Sequence, residues 1–418
     1  MAASSTRSVD GSAAIDLVMR FIRAGHHAGY PAAELEERVV TLAKAVGIDA
    51  VEISVTPTLV EISLGSLPGQ RTFTLRVRPS TVDLDAVARL DEIAQDVLEG
   101  VRDADGALAA LADVEKTPLE RPWPILVAAY GLAGAALTPV LGGGWREAVA
   151  AAAVGVLVGG LAVPAQRAAR TGPIVAPIAA VGASFSAAVL ATLGLDAAPD
   201  LVTLAALVTF LPGMTLTIGM RELATEHLQS GVANTASALV QLLGLVFGVG
   251  VGRSIASDWF GPASDVVLRP PPTAAQVVGA LAAGVAFTLT LRARYRDAVL
   301  MCSATVLALA ANEAGEALFG EQAAVFVASL AVGLVGGLVG LRLRRSPLVF
   351  LVPGVLILVP GSAGFNSVLQ LLTGQTVSGI DAGFETFATA MSIAYGLMVS
   401  AVAFPGQFAT GRAKDPGS

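Results

Sequence analysis

Ionisable side chains are scarce in the apolar stretches of this 418-residue chain, and the few present stand out. Glu313 and Glu316 follow Asn312 towards the end of one stretch. Asp381 and Glu385 open another, and Arg221 and Glu222 close a third. A charge deep in a bilayer costs roughly 2.5–3.5 kcal/mol on insertion scales, so a carboxylate kept there is a candidate for ion or proton handling. A partly buried carboxyl can hold a proton near neutral pH. Glu313 and Glu385 are the two candidates for that role. Glu316 and Asp381 fit a solvated interface. Arg221 and Glu222 fit a gate at the end of their stretch.

The second chemical signal is a repeated break. Leu211 to Gly231 reads LPGMTLTIGMRELATEHLQSG, and Val359 to Gly379 reads VPGSAGFNSVLQLLTGQTVSG. The two align without a gap at an offset of 148 residues and share six identities, Pro212/Pro360 and Gly213/Gly361 among them. Proline removes a backbone donor and clashes with the preceding turn. Glycine lets a ligand or another backbone approach closely. Backbone groups freed within lipid are tolerated only inside protein or along a wet cavity. Pro212, Gly213, Pro360 and Gly361 are therefore expected to line a binding site, although a kink made for helix packing is the plain alternative. Thr215, Thr217 and Asn234 near the first break and Asn366 after the second are added as candidate ligands. Taken singly, such polar groups also serve as interhelical glue. Pro353-Gly354 reads as a third break and joins Arg221 and Glu222 as a candidate gate.

Composition says what must position these residues. Hydrophobic residues make up 54% of the chain and charged ones 14%, and the mean hydropathy is +0.70. That is the range of a polytopic helical membrane protein, so the lipid bilayer is an expected partner and nucleic acid is not. The net charge of −7 decides little about other partners. The single cysteine, Cys302, excludes an internal disulfide. No basic-then-apolar leader opens the chain, so the N-terminus is expected to stay cytoplasmic.

Residues 1–11 are small and polar and read as a disordered N-terminus. Residues 12–116 read as a cytoplasmic α/β domain. Helical periodicity covers 13–28, 31–46, 83–98 and 103–114, and alternating strands are predicted at 50–55, 59–64 and 72–78. Ten apolar spans follow, near 123–141, 146–165, 172–194, 200–220, 231–252, 273–291, 297–318, 322–341, 347–371 and 384–405. Each is about long enough for a ~30 Å hydrocarbon core. They divide into a first repeat of five, 117–255, an outer linker, 256–272, a second repeat of five, 273–406, and a cytoplasmic tail, 407–418.

The loop arginines orient the spans. Arg167, Arg170, Arg221, Arg292, Arg294, Arg296, Arg342, Arg344, Arg345 and Arg412, with Lys414, fall on the side of the N-terminus. Arg146, Arg253 and Arg269 fall on the other, as the positive-inside rule requires. Five spans per half reverse the orientation of the second half. The expected fold is thus a 5+5 inverted repeat, the architecture of secondary transporters with paired broken helices.

Several chemistries are absent from the text. There is no nucleotide-binding loop, nucleophile elbow or zinc signature. His26, His27 and His227 make no metal-ligand pattern with nearby Cys or Asp. No cofactor, no metal and no enzymatic activity are expected.

The soluble part carries Phe21-Ile22-Arg23-Ala24-Gly25-His26, Glu34-Leu35-Glu36-Glu37-Arg38-Val39, Ala45-Val46-Gly47-Ile48, Val51 to Thr58 (VEISVTPT) and Leu90-Asp91-Glu92-Ile93-Ala94. The membrane part carries Leu211-Pro212-Gly213, Arg221-Glu222-Leu223 and Ser230-Gly231. In this order the segments resemble the bacterial threonine/serine exporter family, over essentially the whole chain. The resemblance implies export of threonine and serine across the inner membrane, with protons as the coupling ion. Split relatives are associated with dicarboxylate export, so a succinate-type substrate is the alternative. A channel or signalling protein gated by the soluble domain is a further one. Association of copies into a homo-oligomer through that domain is also an expectation.

Overall fold

Apolar residues at helical spacing and short alternating segments build the first 116 residues. α1 (Gly11–Ala28) buries Leu17, Val18, Phe21 and Ile22 on one face, and α2 (Ala32–Ala45) buries Leu35, Val39 and Leu42. Strands β1 (Val51–Val55), β2 (Leu59–Leu64) and β3 (Arg71–Arg76) form an antiparallel sheet in the order β1-β2-β3, with Ile53, Ile62 and Phe73 in register. α3 (Leu84–Leu98) and α4 (Ala104–Lys116) begin at Asp83 and Asp103. Each carboxylate accepts from the amide three residues on, at 3.0 and 2.8 Å. An N-cap of that kind satisfies one of the orphan donors of a helix start. Leu84, Leu90 and Leu111 close the small core.

The computed structural model describes residues 11–78, 82–167, 172–261, 271–343 and 345–404. The N-terminal tail before Gly11, most of the expected linker, the tail at 407–418, and Arg170, Arg269, Arg344, Arg412 and Lys414 lie outside the described residues.

The remainder is helical. α5 (Trp123–Leu137), α6 (Trp145–Arg167) and α7 (Gly172–Thr192) lead into α8 (Pro199–Ala206), a short 3-10 turn, and α9 (Gly213–Ala224). α10 (Leu228–Phe260) closes the first half. The second half holds α11 (Thr273–Thr290), α12 (Ala298–Phe319), α13 (Glu321–Leu343), α14 (Leu348–Leu358), α15 (Gly361–Leu372) and α16 (Thr376–Val402). Among the described residues, eight segments are long and apolar enough to cross a membrane. The bent pair α8 and α9 makes a ninth, and α5 is an apolar helix of shorter length. The chain is a multi-pass membrane protein.

Several boundaries differ from the sequence reading. α10 runs on to Phe260, so the expected edge of the first repeat at 255 falls within a helix. α16 starts at Thr376, which places Asp381 and Glu385 inside a helix and not at its start. Pro353-Gly354 is not a break, because α14 passes through it uninterrupted. The helix continues despite the ladder bond to the Val349 carbonyl that Pro353 forfeits. Gly354 instead admits Val332 of α13 and approaches the Ala304 carbonyl of α12.

The second broken segment lies at the centre. In α14 and α15 72% of the most apolar window is buried, against 28–44% in the other spans. α14 is apolar on every side, as a helix surrounded by protein should be. Small residues permit the tightest crossings. Gly248 and Gly252 of α10 meet the Pro177 and Val181 carbonyls of α7, and Gly396 of α16 meets the Phe326 carbonyl of α13. Small-residue spacing of this kind lets helices approach closely within lipid. The two crossings correspond across the halves with roles exchanged. Ser184 of α7 sits against Gly252, while Ser400 of α16 sits against Gly333 of α13.

Candidate functional site

The two breaks have one geometry. Leu211 and Val359 are extended, at φ −66°, ψ 123° and φ −63°, ψ 131°. Pro212 and Pro360 follow at φ −80°, ψ 34° and φ −78°, ψ 35°. The cause is local: proline forces the residue before it out of the helical region. A new helix then starts at once. The Leu216 amide donates to the Pro212 carbonyl and the Gly364 amide to the Pro360 carbonyl, both at 2.9 Å. The 50° bend of the first span lies about a turn earlier, between Pro199–Ala206 and Val208–Ala224. α9 and α15 are each 12 residues long and begin and end at the same offset of 148. The match extends past their ends, where the His227 amide bonds the Glu222 carbonyl and the Gln375 amide the Gln370 carbonyl, both at 2.9 Å.

The breaks also touch. A Cβ placed on Gly213 would overlap Val359 and come within 3.1 Å of the Gly361 nitrogen. One placed on Gly361 would lie 3.0 Å from Leu211 Cβ and 3.7 Å from Gly213 Cα. All of Pro212, Gly213, Pro360 and Gly361 are buried. The N-termini of α9 and α15, whose first amides have no partner within the helix, therefore start side by side. Such ends carry partial positive charge, and the ends of the helices before them carry partial negative charge.

Side chains complete the freed backbone. Gln241 of α10 donates from Nε2 to the Phe210 carbonyl at 2.8 Å. Gln241→Leu is expected to leave that carbonyl without its donor and to lower stability by about 1–3 kcal/mol. A thermal-shift series in detergent checks this, and an unchanged midpoint would mean the bond contributes nothing. Away from the break in the second half, Ser367 ties α15 to α16 by donating to the Gly379 carbonyl at 2.7 Å.

At its far end α9 meets the soluble domain. Arg221 is bonded to Glu34 of α2, and His227 Nε2 lies 3.1 Å from Glu36 Oε2 on the same helix. Burial disfavours the charged form of Glu34, but the adjacent Arg221 guanidinium prevails and holds its carboxyl below the usual range. The contact is therefore intact at neutral pH and is lost only as pH falls through that lowered value. The loop between α11 and α12 binds α3: Arg294 reaches Asp85 at 2.5 Å and Glu92 at 3.0 Å, and Arg292 reaches Asp83 at 3.4 Å. The Leu84 amide donates to the Leu291 carbonyl at 2.9 Å. Arg121, just before α5, bonds the Ala293 carbonyl and stacks 4.1 Å over the Tyr295 ring.

The remaining expected site residues are distributed unevenly. Asn234 is half-buried on α10 and donates from Nδ2 to Glu222 Oε2 at 2.7 Å. Thr217 is 3% exposed, and its hydroxyl is buried without a partner. Thr215 is half-buried, whereas Asn366 is exposed on α15. Glu313 on α12 and Glu385 on α16 both occupy exposed positions. Among the described residues the most deeply buried carboxylate is that of Glu222, at 1% exposure, followed by Asp297 at 2%. Sequence reasoning did not pair Glu34 and Glu36 with the membrane part, since neither partner is near in sequence.

A family model described as "Putative threonine/serine exporter" matches residues 16–256, and a second, "Threonine/Serine exporter, ThrE", matches residues 273–403. The chain belongs to the threonine/serine exporter family. Within this family, a "Probable threonine/serine exporter" of Mycobacterium tuberculosis is 26% identical, over 96% of this chain and 78% of that protein. A "Threonine/serine exporter" of Corynebacterium glutamicum is 23% identical, over 75% of this chain and 66% of its own. An uncharacterized protein of Schizosaccharomyces pombe is 23% identical, over 92% of this chain and 53% of its own. No solved structure matches.

Proposed function

We propose that this chain is a secondary active exporter of threonine and serine across the bacterial inner membrane, driven by the proton motive force. In this reading ten crossings form two inverted five-helix repeats, and α5 counts as the first despite its length. Both termini and the soluble domain face the cytoplasm. The observation that carries the reading is the pair of breaks, equal in dihedral angles and register and in direct contact. Paired half-helix ends near the membrane centre are where repeat-built transporters hold substrate. The N-termini of α9 and α15 suit the carboxylate of an amino acid, and the carbonyl ends of α8 and α14 suit its ammonium group. Thr215, Thr217 and Asn366 are side chains near the breaks in sequence that could read a hydroxyl. Two halves of like architecture in opposite orientation can exchange conformations, which opens the site to one side and then to the other.

The loop arginines support the orientation, because the soluble domain binds Arg221, Arg292 and Arg294, all on the positive side. Arg221 and Glu222 act as the inner gate. The substrate class follows from charge. Arg221, the cation nearest a break in sequence, is engaged by Glu34 and is not free for a second carboxylate.

Counterflow of labelled threonine and serine in proteoliposomes is the test. Saturable exchange that becomes net transport under an imposed pH gradient is expected, and succinate should not compete. Absence of exchange with either amino acid would overturn the substrate. Transport indifferent to collapse of the gradient would overturn the coupling.

A further inference from the structure

We propose that Glu222 carries the coupling proton and that Asn234 positions it; this rests on the export reading above. Glu313 and Glu385, the carboxylates first expected in that role, are exposed, whereas Glu222 is 1% exposed inside the helical bundle. Its two oxygens are treated differently. Oε2 accepts from Asn234 Nδ2 at 2.7 Å, and Oε1 is buried with no partner. An ionised carboxylate needs donors or a cation at both oxygens, while a protonated one is far cheaper to bury.

The charged groups around it do not supply the missing partner. Arg221 is adjacent in the chain and its charge interacts with that of Glu222, but its guanidinium is hydrogen-bonded to Glu34 of α2 and not to Oε1. His227, at the start of α10, is bonded to Glu36 of α2. α14 and α15 carry no charged residue, and Asp381 and Glu385 on α16 are exposed. In the packed arrangement a proton on Oε1 would remove the need for a donor there. When the Arg221–Glu34 contact opens, water or Arg221 itself reaches Oε1, and the proton leaves to the cytoplasm. Protonation and closure are then linked, each favouring the other.

The repeat sharpens the assignment. The position equivalent to Glu222 is Gln370, whose Oε1 is also buried without a partner. The two halves keep a polar group here, and only one of them can titrate. A row of polar side chains runs along α10 towards the break. Ser230, Asn234, Ser237 and Gln241 fall on one helical face, and Gln241 bonds the Phe210 carbonyl at the break itself. Asn234 and Gln241 are seven residues apart, about 10 Å along the helix.

Two measurements on the full-length protein in lipid test this. In proteoliposomes, Glu222→Gln is expected to exchange threonine at a rate that no longer changes with an imposed pH gradient. Glu222→Asp should retain the response. A gradient response in Glu222→Gln equal to that of the unaltered protein would overturn the assignment and leave the export reading standing. Failure of the unaltered protein to exchange threonine would count against the export reading alone. The second measurement needs no substrate. pH-difference infrared spectra should show a buried carboxyl C=O band that Glu222→Gln lacks and that Asn234→Ala shifts. A band unchanged in both variants would overturn the proposal, whatever the protein transports.

Discussion

Gly213→Ala is expected to abolish transport, with exchange falling at least tenfold. The added methyl group would overlap Val359 and crowd the Gly361 backbone. Overpacking a well-filled site typically costs about 1–3 kcal/mol, and here the strain falls on the contact between the two half-helix starts. Gly361→Ala should do less harm, because its Cβ would meet Leu211 Cβ at 3.0 Å without overlap. Gly160→Ala is the control, since a Cβ there meets nothing within 4 Å. Exchange rates of the three variants in proteoliposomes, with thermal midpoints beside them, read the order directly. Equal rates in Gly213→Ala and Gly160→Ala would mean that the break contact has no part in transport.

The second large effect lies where the soluble domain meets α9. Glu34→Ala and Arg221→Ala should each loosen the soluble domain from the membrane part. Glu34 and Arg221 side chains are 11% and 19% exposed, so each single change leaves its partner poorly solvated. Breaking a buried pair by removing one member costs roughly 3–5 kcal/mol, an upper figure for a pair not fully buried. Limited proteolysis between Lys116 and Trp123 is expected to quicken in both variants. The charge-exchanged double variant, Glu34→Arg with Arg221→Glu, should restore much of the protection. Proteolysis at an unchanged rate in the single variants would rule out this pair as the clamp. The same comparison reads the pH behaviour, because the Glu34 carboxyl is held below its usual range and the clamp should persist to mildly acidic pH.

Legibility in the sequence varied with the range of the interaction. The breaks were readable because proline acts on its own neighbour, and Leu211 and Val359 adopt the extended conformation that this demands. Pro353 was misread by the same logic. Its effect depends on its place in a helix, and α14 begins only five residues earlier, at Leu348. The strands and helices of the first 116 residues were visible as periodicity, and they lie within a residue or two of the expected ranges. The pairing of Arg221 with Glu34 spans 187 residues. No local pattern encodes a contact of that separation.

The carboxylates show the same division most clearly. Sequence ranked Glu313 and Glu385 first because they stand among apolar neighbours, and apolar neighbours along a chain do not determine burial in three dimensions. A helix hides only the face that another element covers, and the faces bearing Glu313 and Glu385 are left open. Glu222 looked terminal, yet it is 1% exposed and Asn234 of α10 bonds it. By itself the sequence determined what local chemistry controls: apolar spans, the duplicated Pro-Gly break and its register, and the sign of the loops. Tertiary structure alone decided which break touches which, what clamps Arg221, and which carboxylate is buried within the protein. Those depend on surfaces brought together from distant parts of the chain, and desolvation is a property of the packed whole.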